Sequence, residues 1–169
     1  MRFRQAHKSS TYAMVGSSFL AVALSGLLNP ALVLFAFVGI IASWYWEPPR
    51  IRYERFSLAF TILAVVVFVY QLLAILAGNE IILAGSSFLI FLLLIKLFNR
   101  RESKDYLHVY LLSFLLLTAG TVLNAEISYG IFFLFYVVSS TWALTIFHLR
   151  RELENNFLLR HSKEDSSER

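Results

Sequence analysis

The sequence predicts an all-α protein: a polytopic membrane helical bundle of six transmembrane helices in three hairpins, with both termini inside (N-in/C-in). Three observations predict it. Of the 169 residues 58% are hydrophobic and 16% aromatic, only 15% are charged, and the mean hydropathy is +0.66. A soluble domain of this length needs far more polar surface. Apolar runs also recur along the chain at lengths close to what a bilayer core about 30 Å thick requires of a helix. Finally, all 15 Lys and Arg fall on one side of a six-span scheme, and basic loops face the cytoplasm. No period-two alternation competes, so a β-barrel is not expected.

In chain order, residues 1–11 carry Arg2, Arg4 and Lys8 and are expected to form a disordered cytoplasmic start. The membrane domain then runs over residues 12–149. Span one is Tyr12–Leu28. At Asn29-Pro30 the chain turns and restarts, because asparagine caps helices and proline suits a first helical turn. Span two, Ala31–Trp46, ends in the cluster Trp44, Tyr45, Trp46, which suits a headgroup interface. A cytoplasmic loop over 47–55 holds Pro48-Pro49 and Arg50, Arg52 and Arg55. Span three is Phe56–Ala77, and Gly78-Asn79-Glu80 is a tight outer turn. Span four is Ile81–Phe98, followed by the charged turn 99–105. Span five is Tyr106–Leu123, with Asn124-Ala125-Glu126 the next outer turn, and span six is Ile127–Leu149. In the tail, 150–169, Leu149, Leu153 and Phe157 recur every four residues, as in an amphipathic helix lying on the inner leaflet. The final SKEDSSER is expected to be disordered.

The charge balance of +4 does not indicate nucleic acid. The basic residues flank apolar runs, so they read as topology signal and as contacts to anionic headgroups. With no cysteine in the sequence, disulfides, thiolate metal sites and a thiol nucleophile are excluded. The first apolar run follows a basic start but leads directly into another, so it is read as a retained span rather than a cleaved signal.

Polar groups deep in a span are functional candidates. Gln71 is the clearest, and an interhelical hydrogen bond is its expected role. Glu80 and Glu126 lie in outer turns, where helix-end polarity in water accounts for them; an intramembrane enzyme using either is a minor alternative. His7, His108, His148 and His161 lie on the cytoplasmic side, with no pair at metal-ligand spacing. The pairs Ser17-Ser18, Ser86-Ser87 and Ser139-Ser140 lack a histidine or acid at matching depth. They are expected to let helices approach closely, as Ser17, Ala21 and Ser25 do at four-residue spacing. No cofactor is expected.

The most informative stretch is the charged turn between spans four and five, with Lys96, Arg100, Arg101, Lys104 and Asp105 followed by Tyr106. Asp105 is placed to cap span five and offset its positive end. Lys96 is placed to snorkel to headgroups, leaving Arg100 and Arg101 for anionic lipid or a cytoplasmic partner. Lys96-Leu97, Arg100-Arg101 and Lys104-Asp105-Tyr106, then Tyr110–Leu123, Thr141-Trp142-Ala143 and His148-Leu149-Arg150-Arg151-Glu152, resemble the N-terminal membrane domain of bacterial TgpA-type transglutaminase-like proteins. The resemblance is best from Ile81 to Glu154; the first three spans match it in hydropathy and loop charge. It implies a bacterial cytoplasmic membrane location. It also implies relatives that continue through a further span into a periplasmic papain-like core using Cys, His and Asp. None of those catalytic residues has a counterpart here.

The function expected is therefore that of an integral inner-membrane scaffold or interaction subunit without a catalytic core of its own. Its partners are membrane lipids, through anionic headgroups at the cytoplasmic loops, and a protein bound at the cytoplasmic turns or within the membrane. A small transporter or channel is the alternative; the scarcity of ionisable groups within the spans weighs against it.

Overall fold

A computed structural model describes residues 2–45, 54–99, 103–123 and 127–167. It contains six α-helices: α1 (Arg2–Ala23), α2 (Pro30–Tyr45), α3 (Glu54–Leu76), α4 (Ile81–Phe98), α5 (Ser103–Leu123) and α6 (Ile127–Ser167). Among the described residues there is no strand.

Two of the three expected outer turns are visible in atomic detail. Asn29 caps α2: its Oδ1 accepts the Ala31 N–H at 2.9 Å, and its carbonyl accepts the Val33 N–H at 3.1 Å. Pro30 opens the helix, where a missing N–H costs nothing. At the end of α3, Gly78 adopts φ +102, with its N–H bonded to the Ile75 carbonyl and the Asn79 N–H bonded to the Ala74 carbonyl. This pair of bonds closes the helix and satisfies carbonyls that would otherwise be orphaned. The turn at 124–126 lies outside the described residues.

Both ends of the chain depart from expectation. Helix α1 begins at Arg2, so the residues before Tyr12 are helical. It ends at Ala23, earlier than Leu28, because bonds tighten to i→i−3 at Ser25 and Gly26, and Gly26 turns left-handed at φ +68. At the other end α6 continues without a break from Ile127 to Ser167, 41 residues or about 60 Å. Neither proline nor glycine follows Gly130 in the sequence. The run after Leu149 is rich in Arg, Glu and Leu, all good helix formers.

Packing does not follow chain order. Helix α1 lies between α5 and α6 and packs most extensively against them, whereas α5 and α6 touch little. They meet near their shared turn, where the Tyr129 hydroxyl lies 2.6 Å from Thr121 Oγ1. Helix α4 packs against α5 on one side and carries α3 and α2 on others. Two apolar clusters flank α1. One joins Tyr12, Val15 and Phe19 to Ile90, Leu93 and Leu97 of α4 and to Val109 and Leu116 of α5. The other joins Met14 and Ala21 to Tyr110, Leu117, Tyr136 and Phe147.

Small and hydroxylic residues are enclosed together with the apolar clusters, while many other large apolar side chains face outward. Thr11, Ser17, Ser18, Ser43, Ser86 and Ser113 are buried, while Leu34, Phe35, Val66, Leu73, Leu134 and Phe135 are exposed. Apart from Ser43, these serines are satisfied within their own helices: Ser17 donates to the Met14 carbonyl and Ser18 to the Val15 carbonyl, each at 2.9 Å. This use of serine keeps helix surfaces small without orphaning a hydroxyl. Helices α3 to α6 each contain an apolar stretch long enough to cross a membrane, and in α3 none of that stretch is buried. Helix α2 is apolar but has 16 residues, about 24 Å.

Candidate functional site

The charged turn is held from both sides. Lys96, in the last turn of α4, reaches Asp105 of α5, with 3.5 Å between Nζ and Oδ1 and side chains 33% and 21% exposed. Helix α5 begins at Ser103, so Asp105 sits in the first turn rather than at the cap position. Its charge still faces the positive end of the helix dipole. Tyr106 is half-buried against the cluster of Met14 and Tyr110. Arg100 and Arg101 lie outside the described residues.

A polar network that sequence reasoning missed adjoins this turn. Ser43 of α2 donates to the Leu97 carbonyl at 3.1 Å and lies 2.8 Å from the Tyr12 hydroxyl. On the same side Thr11 Oγ1 and the Tyr110 hydroxyl are 3.2 Å apart. The Lys8 ammonium donates to the Trp44 carbonyl at 2.7 Å and lies 5.0 Å from the Trp44 ring. Tyr12 packs edge-on to the same ring, centroids 4.8 Å apart. The Trp44 ring, expected to mark a headgroup interface, is therefore also a clamp between α1 and α2. The signal available in sequence was the aromatic cluster alone; nothing in it pairs Trp44 with Lys8.

At the opposite end of α4 lies a cleft of about 560 Å³. Ala31, Leu32 and Phe35 of α2 form one wall, and Tyr70, Gln71 and Ala74 of α3 the other. Leu83, Ala84, Ser87 and Phe91 of α4 make the floor, with Asn29 and Asn79 in the lining nearest the turns. Gln71 does not make the interhelical hydrogen bond expected of it. Among the described residues no hydrogen bond engages its carboxamide, which lines the cleft.

The remaining candidates are dispersed. Glu80 precedes α4, is exposed, and makes no side-chain cap bond; Glu126 lies outside the described residues. His108 and His148 are exposed on separate helices, and among the described residues no three of His, Cys, Asp and Glu cluster as metal ligands. The outer serines donate to carbonyls of their own helices, Ser87 to Leu83, Ser139 to Phe135 and Ser140 to Val137.

No curated protein and no solved structure matches the chain. The family described as TgpA N-terminal domain matches residues 12–167, which takes in the first three helices as well as the hairpin that carries the resemblance in sequence. Together with an all-helical bundle that exposes many large apolar side chains, this places the protein: the chain belongs to the TgpA N-terminal domain family.

Proposed function

We propose that the chain is a multi-pass domain of the bacterial cytoplasmic membrane that crosses the bilayer six times, N-in/C-in, and serves as a scaffold for a partner protein, with no catalysis of its own. The observation that carries this reading is the large number of exposed apolar side chains around the bundle. Hydroxyls and small residues are enclosed, and the helices around them present Leu, Val, Ile and Phe to the surroundings. A helix sheathed by other helices need not be apolar itself. The modest hydropathy of α1 is therefore compatible with a span, since hydropathy measures what meets lipid.

The scaffold role draws support from α3. It is the most exposed apolar helix and packs chiefly against α4, leaving most of its circumference for lipid or for a partner's helix. The basic turns, paired through Lys96 and Asp105 where described, supply a cytoplasmic face for anionic headgroups.

The reading is tested by purifying the tagged chain from membranes in mild detergent and, separately, by reconstituting it in sealed vesicles. The expected result is one recurrent partner at fixed stoichiometry and vesicles no leakier to ions and small solutes than protein-free ones. Solute flux that scales with protein content, without a partner, would replace the scaffold by a transporter or channel.

A further inference from the structure

The cleft between α2 and α3 has a chemistry that the scaffold role does not use. Both helices pack on α4 but have at most marginal contact with each other, so the gap between them opens sideways. In a bilayer, a gap of about 560 Å³ between spanning helices is reached from the lipid. Its size falls within the range of ligand sites, about 300–1,000 Å³.

The lining selects its occupant. Phe35, Leu83 and Phe91 make it largely apolar, and it contains no charged residue. Two amides are placed to donate. Asn29 has committed its Oδ1 to the Ala31 N–H, which leaves its NH₂ for an acceptor. The Gln71 carboxamide has no protein hydrogen bond among the described residues. Leaving such a group unpaired in hydrocarbon is costly, so the molecule in the cleft has to bring an uncharged acceptor to it. Depth narrows the choice further. Gln71 lies five residues, about 7.5 Å, before the end of α3 at Leu76. That is more than one helical turn inside the hydrocarbon, a depth that an ester carbonyl reaches when the lipid's glycerol is drawn into the cleft with its headgroup level with Asn29 and Asn79.

We infer that this cleft is a site for an ester-linked diacyl lipid of the bilayer, with one acyl chain against Phe35 and Phe91 and its ester carbonyl accepting from Gln71. The headgroup projects past Asn29 and Asn79 and is not itself selected. This inference rests on the bilayer reading above, and its test separates the two.

The full chain is reconstituted in vesicles containing a trace of diacyl phosphatidylglycerol with a photoreactive diazirine in mid-chain, irradiated, and mapped by mass spectrometry. Labelling is expected to concentrate on Leu32 to Phe35 and Leu83 to Phe91, above that on the exposed face of α6 from Phe133 to Val138. The ether-linked analogue, which lacks the carbonyl, should label the cleft about fivefold less, as loss of one hydrogen bond implies, with α6 unchanged. Gln71→Leu should produce the same loss with the ester lipid and none further with the ether lipid. Phosphatidylethanolamine in place of phosphatidylglycerol should behave alike. Cleft labelling no greater than that of α6, or equal labelling by ester and ether lipids in the native chain, overturns the site while leaving the bilayer reading intact. Absence of labelling on α6 as well overturns both.

Discussion

The Tyr12 hydroxyl donates to Ser43, 2.8 Å away, because the single hydroxyl hydrogen of Ser43 is already directed at the Leu97 carbonyl. Leu97 stands next to the last residue of α4, in the final turn of that helix. One serine therefore ties α1, α2 and α4 together in a buried setting.

Ser43→Ala should cost more than Tyr12→Phe. The first removes both bonds of the Ser43 hydroxyl, about 1–3 kcal/mol; the second removes one of them, about 0.5–1.5 kcal/mol. The double variant should lose less than the sum of the two. Thermal melting of the four proteins in one detergent checks this; strict additivity would mean that the chain of bonds does not act as a unit.

The Lys96–Asp105 pair is partly exposed and 3.5 Å apart, so its contribution should be small, about 0.2–1 kcal/mol. Asp105→Ala and Lys96→Ala should each lower the melting temperature slightly at low salt. The deficit should shrink in high salt as the charges are screened. A deficit independent of salt would assign the role of Asp105 to hydrogen bonding at the start of α5 instead.

Helix positions were legible in the sequence because apolar runs and turn chemistry act locally. Asn29-Pro30 and Gly78-Asn79 mark the boundaries where the structure turns. The start of α1 and the last residues of α6 were misread because polar segments free of proline and glycine were equated with disorder; a helix around 149–157 was expected, but not its continuity with span six. The partners of each helix were not legible at all. Hydropathy treats α1 as the weakest span, whereas the bundle places it at the centre through contacts such as Tyr12 to Ser43 and Thr11 to Tyr110, which join residues far apart in the chain. Gln71 was picked out by its depth, but its neighbours depend on α2 and α3 flanking α4, an arrangement that no local pattern encodes.

Close approach of α1 and α5 depends on Gly120. A Cβ there would stand 3.2 Å from Val22 Cγ2, 3.3 Å from Tyr129 Cε2 and 3.5 Å from the Ala21 backbone. Gly120→Leu should therefore force the helices apart and cost about 1–3 kcal/mol. Gly130 of α6 has open space around it, so Gly130→Ala should be neutral or stabilise by up to about 1 kcal/mol. Melting of the two variants beside the native chain is the measurement. Equal effects would show that α1 and α5 are not in close contact in the membrane.

The number of crossings turns on α1 and α2, and reporters at the later turns do not test them. With four spans or six, Asn79 and Ala125 lie outside and Arg169 lies inside; only the turn joining α1 to α2 changes sides. Because the chain has no cysteine, single substitutions can be labelled without background. Leu27 is suitable, being 54% exposed in that turn. In intact cells a membrane-impermeant maleimide should label Leu27→Cys and Asn79→Cys. It should label Arg169→Cys only after permeabilisation. Labelling of Asn79→Cys from outside, with Leu27→Cys protected until the cells are opened, would leave α1 and α2 on the cytoplasmic side. The hydroxyl-rich interior around Ser17 and Ser18 would then be the core of an inner-face subdomain rather than the centre of a six-span bundle.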